Sequence, residues 1–380
     1  MNAIIEGLIN AGNRVKVLAI NTNKYGAEIE KIPLEYREKT SIEFVYIDLS
    51  IKPLDAFINL FSSKSYHVER FISESFRDKL TAILKNEEFD IVQLETLYIS
   101  PYIGTIRKFS KAKIVLRSHN IEHLIWKRVA AVSTNPLKKV YLRYLSKKLK
   151  NYELDMLNQY DGIATITKKD GDYFVGLGCK IPVTDIPFGI DMENFRENPG
   201  IEDEFPSLFH IGAMNWMPNE EGIKWFLDLV WPEVNRQFPD LKFFLAGREM
   251  PLWLRSSKLA NVMVVGEVDD AFEFIYSKSI EIVPLFSGSG IRIKIIEGMA
   301  AQRAVISTSI GAEGIQVENG KNILLANTPQ EFVEAIKKCV SDREYCRKLG
   351  ENARALIEKD HSNSQLMKKL VDFYHHILAN

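Results

Sequence analysis

Cysteine is scarce in this 380-residue chain: Cys179, Cys339 and Cys346 are few, scattered and odd in number. Such a set builds no disulfide framework, shows no zinc spacing and suits a reducing, cytoplasmic setting. No uncharged apolar stretch reaches the roughly 18 residues a transmembrane helix needs. The N-terminus has no basic block, and Glu6 follows its first apolar residues, so it does not read as a secretory signal. A strong charge bias is missing as well. With 49 Lys+Arg against 50 Asp+Glu the net charge is −1, which gives no footprint for nucleic acid. There is no short repeat, no low-complexity tract, no Walker loop and no Gly-x-Ser-x-Gly elbow.

What is present is an ordinary globular composition, 46% hydrophobic and 26% charged, which excludes disordered and collagen-like chains. The length suggests two domains. The charge divides unevenly between the halves: residues 1–190 hold 28 Lys+Arg against 22 Asp+Glu, and residues 191–380 hold 21 against 28. Short apolar runs alternate with helical patterns. Strands are expected at Arg14–Ile20, Glu43–Asp48, Asp90–Glu95, Lys113–Ser118, Gly162–Thr167 and Ile181–Pro187. In the second half they are expected at Ser207–Gly212, Leu241–Gly247, Val262–Gly266, Ile280–Pro284, Ala304–Thr308 and Asn322–Ala326. Their near-continuous apolar character indicates parallel sheets covered on both faces. The fold class is therefore α/β, with two doubly wound, Rossmann-like domains: 1–195, joined by a C-terminal helix 364–380, and 196–363. The junction is expected within the polar stretch Phe195–Pro206. Thr328-Pro329-Gln330-Glu331 reads as a capping box, and Asn219 as a helix cap.

Ligands of doubly wound sheets bind beyond the carboxyl ends of the strands, so a cleft between the two domains is the expected site. After Ile280–Pro284 comes Leu285-Phe286-Ser287-Gly288-Ser289-Gly290-Ile291-Arg292-Ile293-Lys294-Ile295-Ile296-Glu297-Gly298-Met299-Ala300. A glycine turn opening into a helix lets backbone approach a ligand and points N–H groups at an anion. Arg292 and Lys294 add positive charge where a diphosphate would lie. Glu297, one turn into the helix, suits the hydroxyls of a ribose.

This segment resembles the C-domain signature of the family 4 (group 1) retaining glycosyltransferases, which have the GT-B fold. The resemblance identifies Glu297 with the second carboxylate of a Glu-x7-Glu pattern. Ser289 stands at the place of the first. Phe209–Asn219, with Gly212, resembles the first C-domain strand and its phosphate loop, although the usual Arg and Lys of that loop are not evident. Gly266-Glu267-Val268-Asp269 resembles the loop that reads the base, and Ile186–Asp191 the turn ending the N-domain. The implied donor site is then Gly212, Gly266, Val268, Gly288, Ser289, Gly290, Ile291 and Glu297. His119, in Arg117–His123 after the strand Lys113–Ser118, corresponds to the N-domain histidine near the transferred sugar. His119, Arg292 and Lys294 are the candidate catalytic residues. Glu95, at a strand end, and His123 are candidates on the acceptor side.

The implied activity is transfer of a sugar from a UDP- or GDP-type nucleotide-diphosphate sugar to a glycan, lipid-linked or other hydroxyl acceptor, with retention of configuration, in polysaccharide biosynthesis. The alternatives are a catalytically impaired nucleotide-sugar-binding protein and an epimerase of the same fold. No cofactor or metal is expected. Asp170-Gly171-Asp172 has an Asp-x-Asp pattern but opens a helix, where acidic residues are ordinary dipole partners. The basic helix 137–157 is a candidate contact for anionic lipid, which would make the protein peripheral to the inner membrane face. Finally, the chain opens with a helix, Asn2–Ala11, before its first strand. A helix there should connect two parallel strands. The expectation is an N-terminal domain lacking its first strand and Gly-rich loop.

Overall fold

The computed structural model describes residues 2–380 apart from 24, 25, 27, 51, 196–200 and 289. The chain forms two compact units: Met1–Pro187 with Met367–Asn380, and Phe188–Leu366. The junction falls earlier than the polar stretch at Phe195–Pro206. Ile190 and Phe195 are apolar and buried in the second unit's core, and Ile190 bridges Ser362 there.

In the first unit β1 (Leu18–Thr22) pairs in parallel with β2 (Glu43–Ile47). A separate parallel sheet runs β3 (Ile91–Leu94), β4 (Lys113–Ser118), β5 (Gly162–Thr165) and β6 (Val183–Asp185), in that order. One core nevertheless joins both sheets: Leu18, Ile20, Val45 and Ile47 cluster with Leu94, Ile114, Leu116 and Ile163. Among the described residues, β1 has no strand partner on its edge away from β2, nor β3 away from β4. The helices that matter below are α1 (Asn2–Asn10), α2 (Pro53–Asn59), α3 (Glu122–Val132) and α4 (Pro136–Met156).

The second unit is a single six-stranded parallel sheet. Its strands are β7 (Glu204–Ile211), β8 (Lys242–Ala246), β9 (Val262–Gly266), β10 (Lys278–Val283), β11 (Ala304–Ser307) and β12 (Leu324–Leu325), ordered β12-β11-β10-β7-β8-β9. Alternation along the strands feeds two cores, as burial on both faces requires. Leu208, Phe243, Ile280 and Ile282 face one layer of helices, including α5 (Met217–Leu229) and α7 (Pro329–Ser341). Phe209, Val283 and Val305 face the other, with α6 (Ile293–Ala300) and α8 (Arg343–Asp360). The capping box at Thr328 and Glu331 forms as expected. The last helix, α9 (Asn363–Ala379), begins in the second unit and ends in the first.

Candidate functional site

The second unit gathers most of the expected donor residues beyond the carboxyl end of β10. The turn after that strand holds Gly288 at φ +106 and Gly290 at φ +84, a region L side chains rarely adopt. A Cβ on Gly288 would also lie 3.1 Å from both Arg292 and Trp216. Ser289 lies outside the described residues. Arg292 caps α6 and is buried. Its guanidinium stacks over Trp216 at 5.7 Å and donates to the Gly290 carbonyl. Its Nε and Nη2 are buried with no hydrogen-bond acceptor. Burial lowers its pKa, with Glu313 pulling the other way. Unpaired donors on a buried cation await an anionic acceptor.

Lys294, in the first turn of α6, reaches back over the sheet. Its Nζ donates to Asn219 Oδ1 at 2.8 Å and lies 3.1 Å from His210 Nε2. His210 Nδ1 lies 2.7 Å from the Ile282 carbonyl and can only donate to it, so in the neutral ring Nε2 is the acceptor for the lysine. Asn219 Nδ2 in turn donates to the Ala213 carbonyl at 2.8 Å. The lysine is thus aimed at the loop after β7: a Cβ on Gly212 would meet Nζ at 2.3 Å. Gly212 also receives Gly247, whose Cβ would fall 1.9 Å from its carbonyl oxygen. Burial pushes Lys294 below the usual lysine range, and the charges of Glu281 and Glu297 pull it back up. The same burial, with Lys294 beside it, holds His210 neutral.

Glu297, on the same helix, is half-buried, and burial raises its carboxyl against the opposing charge of Lys294. Glu281 on β10 is the less expected member. It is fully buried, and neither oxygen has a hydrogen-bond partner. Its Oε2 occupies the space that a Cβ on Gly298 would fill, at 1.9 Å. Gly298 lies four residues after Lys294, so the two share a helix face, and Glu281 sits about one turn from the lysine. Burial pushes its carboxyl well above the ordinary range, with Lys294 opposing.

Of the remaining donor candidates, Gly266 ends β9 at φ +84 and accepts from Gly247 N–H at 2.7 Å. Val268 and Ile291 are half-buried against the α6-side core. Asn219 is not the helix cap expected: Trp216 holds that position, and Asn219 sits inside the first turn of α5, turned to Lys294.

In the first unit, Glu95 and His119 follow the adjacent parallel strands β3 and β4, which brings them together. His119 Nε2 lies 2.9 Å from Glu95 Oε2, with Arg117 at 3.6 Å from the same oxygen. Burial alone would raise Glu95, but the His119 hydrogen bond and the Arg117 charge hold it below the usual carboxylate range. The His119 side chain is 37% exposed, enough to meet a ligand. His123 does not join them. It is buried on α3, its Nδ1 hydrogen-bonded to Glu153 and its Nε2 3.1 Å from the Tyr173 hydroxyl. Both ring nitrogens are engaged by protein, which corrects its assignment to an acceptor contact. Asp172 pairs with Lys168 at 2.9 Å, both side chains being exposed. Among the described residues, no three His, Cys, Asp or Glu side chains gather as a metal site.

Sequence reasoning missed His210, Glu281 and the new role of Asn219. The available signal was a polar side chain inside each of two otherwise apolar strands, Leu208-Phe209-His210-Ile211 and Ile280-Glu281-Ile282-Val283.

With this geometry in place, residues 205–342, within the second unit, match the family described as Glycosyl transferases group 1. Over its length the chain is 23% identical to an uncharacterized 44.6 kDa protein in the cps region of Klebsiella pneumoniae, covering 96% of this chain and 92% of that protein. It is 22% identical to an uncharacterized glycosyltransferase, MJ1069, of Methanocaldococcus jannaschii, over 74% of each. Among solved structures it resembles the sucrose-phosphate synthase of Thermosynechococcus elongatus, with TM-score 0.66, 14% identity and coverage of 99% and 92%. It also resembles Anabaena HepE in complex with UDP and glucose, with TM-score 0.60, 12% identity and coverage of 98% and 95%. The fold is GT-B, with two Rossmann-like domains.

Proposed function

We propose that the protein transfers a sugar from a nucleotide-diphosphate sugar to a hydroxyl acceptor, with the donor held by the second unit. The observation that carries this reading is the paired cationic site at the start of α6: Arg292 with unpaired buried donors, and Lys294 aimed at Gly212. Departure of a diphosphate from an anomeric carbon develops negative charge on the leaving group. Fixed donors in a water-poor site stabilise that charge without reorganising. Glu297 takes the ribose hydroxyls, and the backbone around Gly266 and Val268 lies against the base. A UDP-type donor is favoured by HepE, solved with UDP and with UDP-glucose.

Retention follows if the acceptor attacks on the face from which the diphosphate leaves, with the leaving phosphate taking the acceptor proton. His119, oriented by Glu95, serves the sugar and acceptor side. The positive charge of Arg292 and Lys294 stands where a metal ion would otherwise act. The acceptor belongs to a glycan, lipid-linked or other hydroxyl class, and the cps-region relative favours polysaccharide assembly. The test is a thermal-shift screen of UDP, GDP and ADP sugars, followed by transfer assays with the binders, with and without EDTA. Stabilisation by one nucleotide class and EDTA-resistant transfer are expected. Failure of every nucleotide to bind would overturn the reading.

A further inference from the structure

The helix α2 turns its apolar side outward. Leu54, Phe57, Ile58 and Phe61 follow an i, i+3, i+4, i+7 spacing, and the helical path continues past Asn59 through bonds from Leu60 and Phe61 N–H to Phe57 and Ile58. A stripe with this spacing normally faces a core. Here Leu54 is 69% exposed and Phe61 82%, with Phe57 and Ile58 also exposed. Phe57 and Phe61 stack edge-on at 5.6 Å, so the ridge is continuous.

This ridge is fastened to α4. The Tyr144 hydroxyl donates to the Leu60 carbonyl at 2.7 Å, and the buried Lys148 ammonium binds the carbonyl and the Oδ1 of Asn59. The exposed face of α4 adds Leu137, Val140 and Tyr144, with Leu137 82% exposed. Alongside stand Lys138, Arg143 and Lys147, all exposed. Between residues 136 and 152 the chain has six cations and no carboxylate.

We propose that this face of the first unit docks on an anionic lipid surface. The α2 ridge lies in the interface with its apolar side chains among the acyl chains, and the α4 cations lie against the headgroups. An exposed apolar stripe next to the basic face of α4 fits both zones of such a membrane. The proposal does not rest on glycosyl transfer.

The test is co-sedimentation of the full chain with phosphatidylcholine vesicles containing about a third phosphatidylglycerol, and with pure phosphatidylcholine vesicles. Binding to the anionic vesicles at low salt, little binding to the neutral ones, and weakening at about 0.5 M salt are expected. The double substitution Phe57→Ser/Phe61→Ser should lower binding more than tenfold. Arg143→Glu/Lys147→Glu should lower it on the order of 25-fold or more, about fivefold for each basic residue lost. Unchanged melting of the variants would exclude unfolding as the cause, and the salt dependence of the unaltered chain reads the proposal without any variant. No binding to anionic vesicles would overturn it. So would equal binding to both vesicle types, variants that bind like the parent, or self-association that the Phe57 and Phe61 substitutions abolish.

Discussion

In the second unit one continuous sheet, covered on both faces, buries Arg292, His210 and Glu281 and gathers the half-buried Lys294 and Glu297 into the same neighbourhood. In the first unit, Glu95 and His119 meet at a half-exposed strand end of a sheet that is divided in two. The contrast teaches what each can do. Charges kept from water interact strongly and hold fixed positions, which suits a leaving group whose charge grows during reaction. A histidine open to solvent is free to meet varied acceptors but supplies less preorganised field.

The comparison breaks most visibly at Lys294. Lys294→Met should lower turnover on the order of a hundredfold, equivalent to about 3 kcal/mol of transition-state stabilisation, with a smaller effect on binding of the free nucleoside. Steady-state kinetics beside nucleoside titration would check it, and Arg292→Ala should behave alike. Next is Glu297→Ala, for which calorimetry should show nucleotide binding weakened by ~1.5–3 kcal/mol, with the melting temperature nearly kept. A collapsed melting temperature with unchanged affinity would make Glu297 structural.

Glu281 sharpens the contrast through pH. Its folded carboxyl holds a proton that the unfolded chain has lost, so its contribution to stability is complete below the ordinary carboxylate range and falls as pH rises from there toward neutrality. Glu281→Gln should remove that fall and gain roughly 1–3 kcal/mol near neutral pH. Denaturant unfolding at mildly acidic and neutral pH measures it, and an unchanged pH dependence would refute the assignment. Glu95 has the opposite sign: its depressed carboxyl contributes stability above the ordinary range and loses it as pH falls. Glu95→Gln should cost only about 1 kcal/mol, since the group is partly exposed. His119→Ala should leave nucleotide affinity unchanged while transfer drops. A matching loss of nucleotide affinity would mean that His119 is not confined to the acceptor side.

The strands were legible because buried parallel strands leave runs of apolar residues between turns. Val262–Gly266 and Lys113–Ser118 match their expected bounds, whereas β10, expected at Ile280–Pro284, starts at Lys278 and ends at Val283. Thr328 and Glu331 are local chemistry and could be read locally. Asn219 could not, because its choice between capping α5 and accepting from Lys294 depends on a residue 75 positions away. Glu281 was hidden for the same reason: the notch that admits it is Gly298, on another element. His123 was misplaced because its engagement with Glu153 and Tyr173 joins three segments that the sequence does not show as neighbours.

The path of α9 sets an order of assembly. Residues 188–366 form an uninterrupted stretch of chain, so the second unit has all its parts once that stretch has left the ribosome. The first unit is made earlier but finished later. Ile377 and Phe373 cover Gly162, where even a Cβ would approach them to 2.4 and 2.9 Å, and the Tyr374 hydroxyl hydrogen-bonds Gln93. Until α9 emerges, the apolar surface around Gly162 on β5 that Phe373 and Ile377 cover stays open to water, so the first unit closes its core only after the second unit has all its parts.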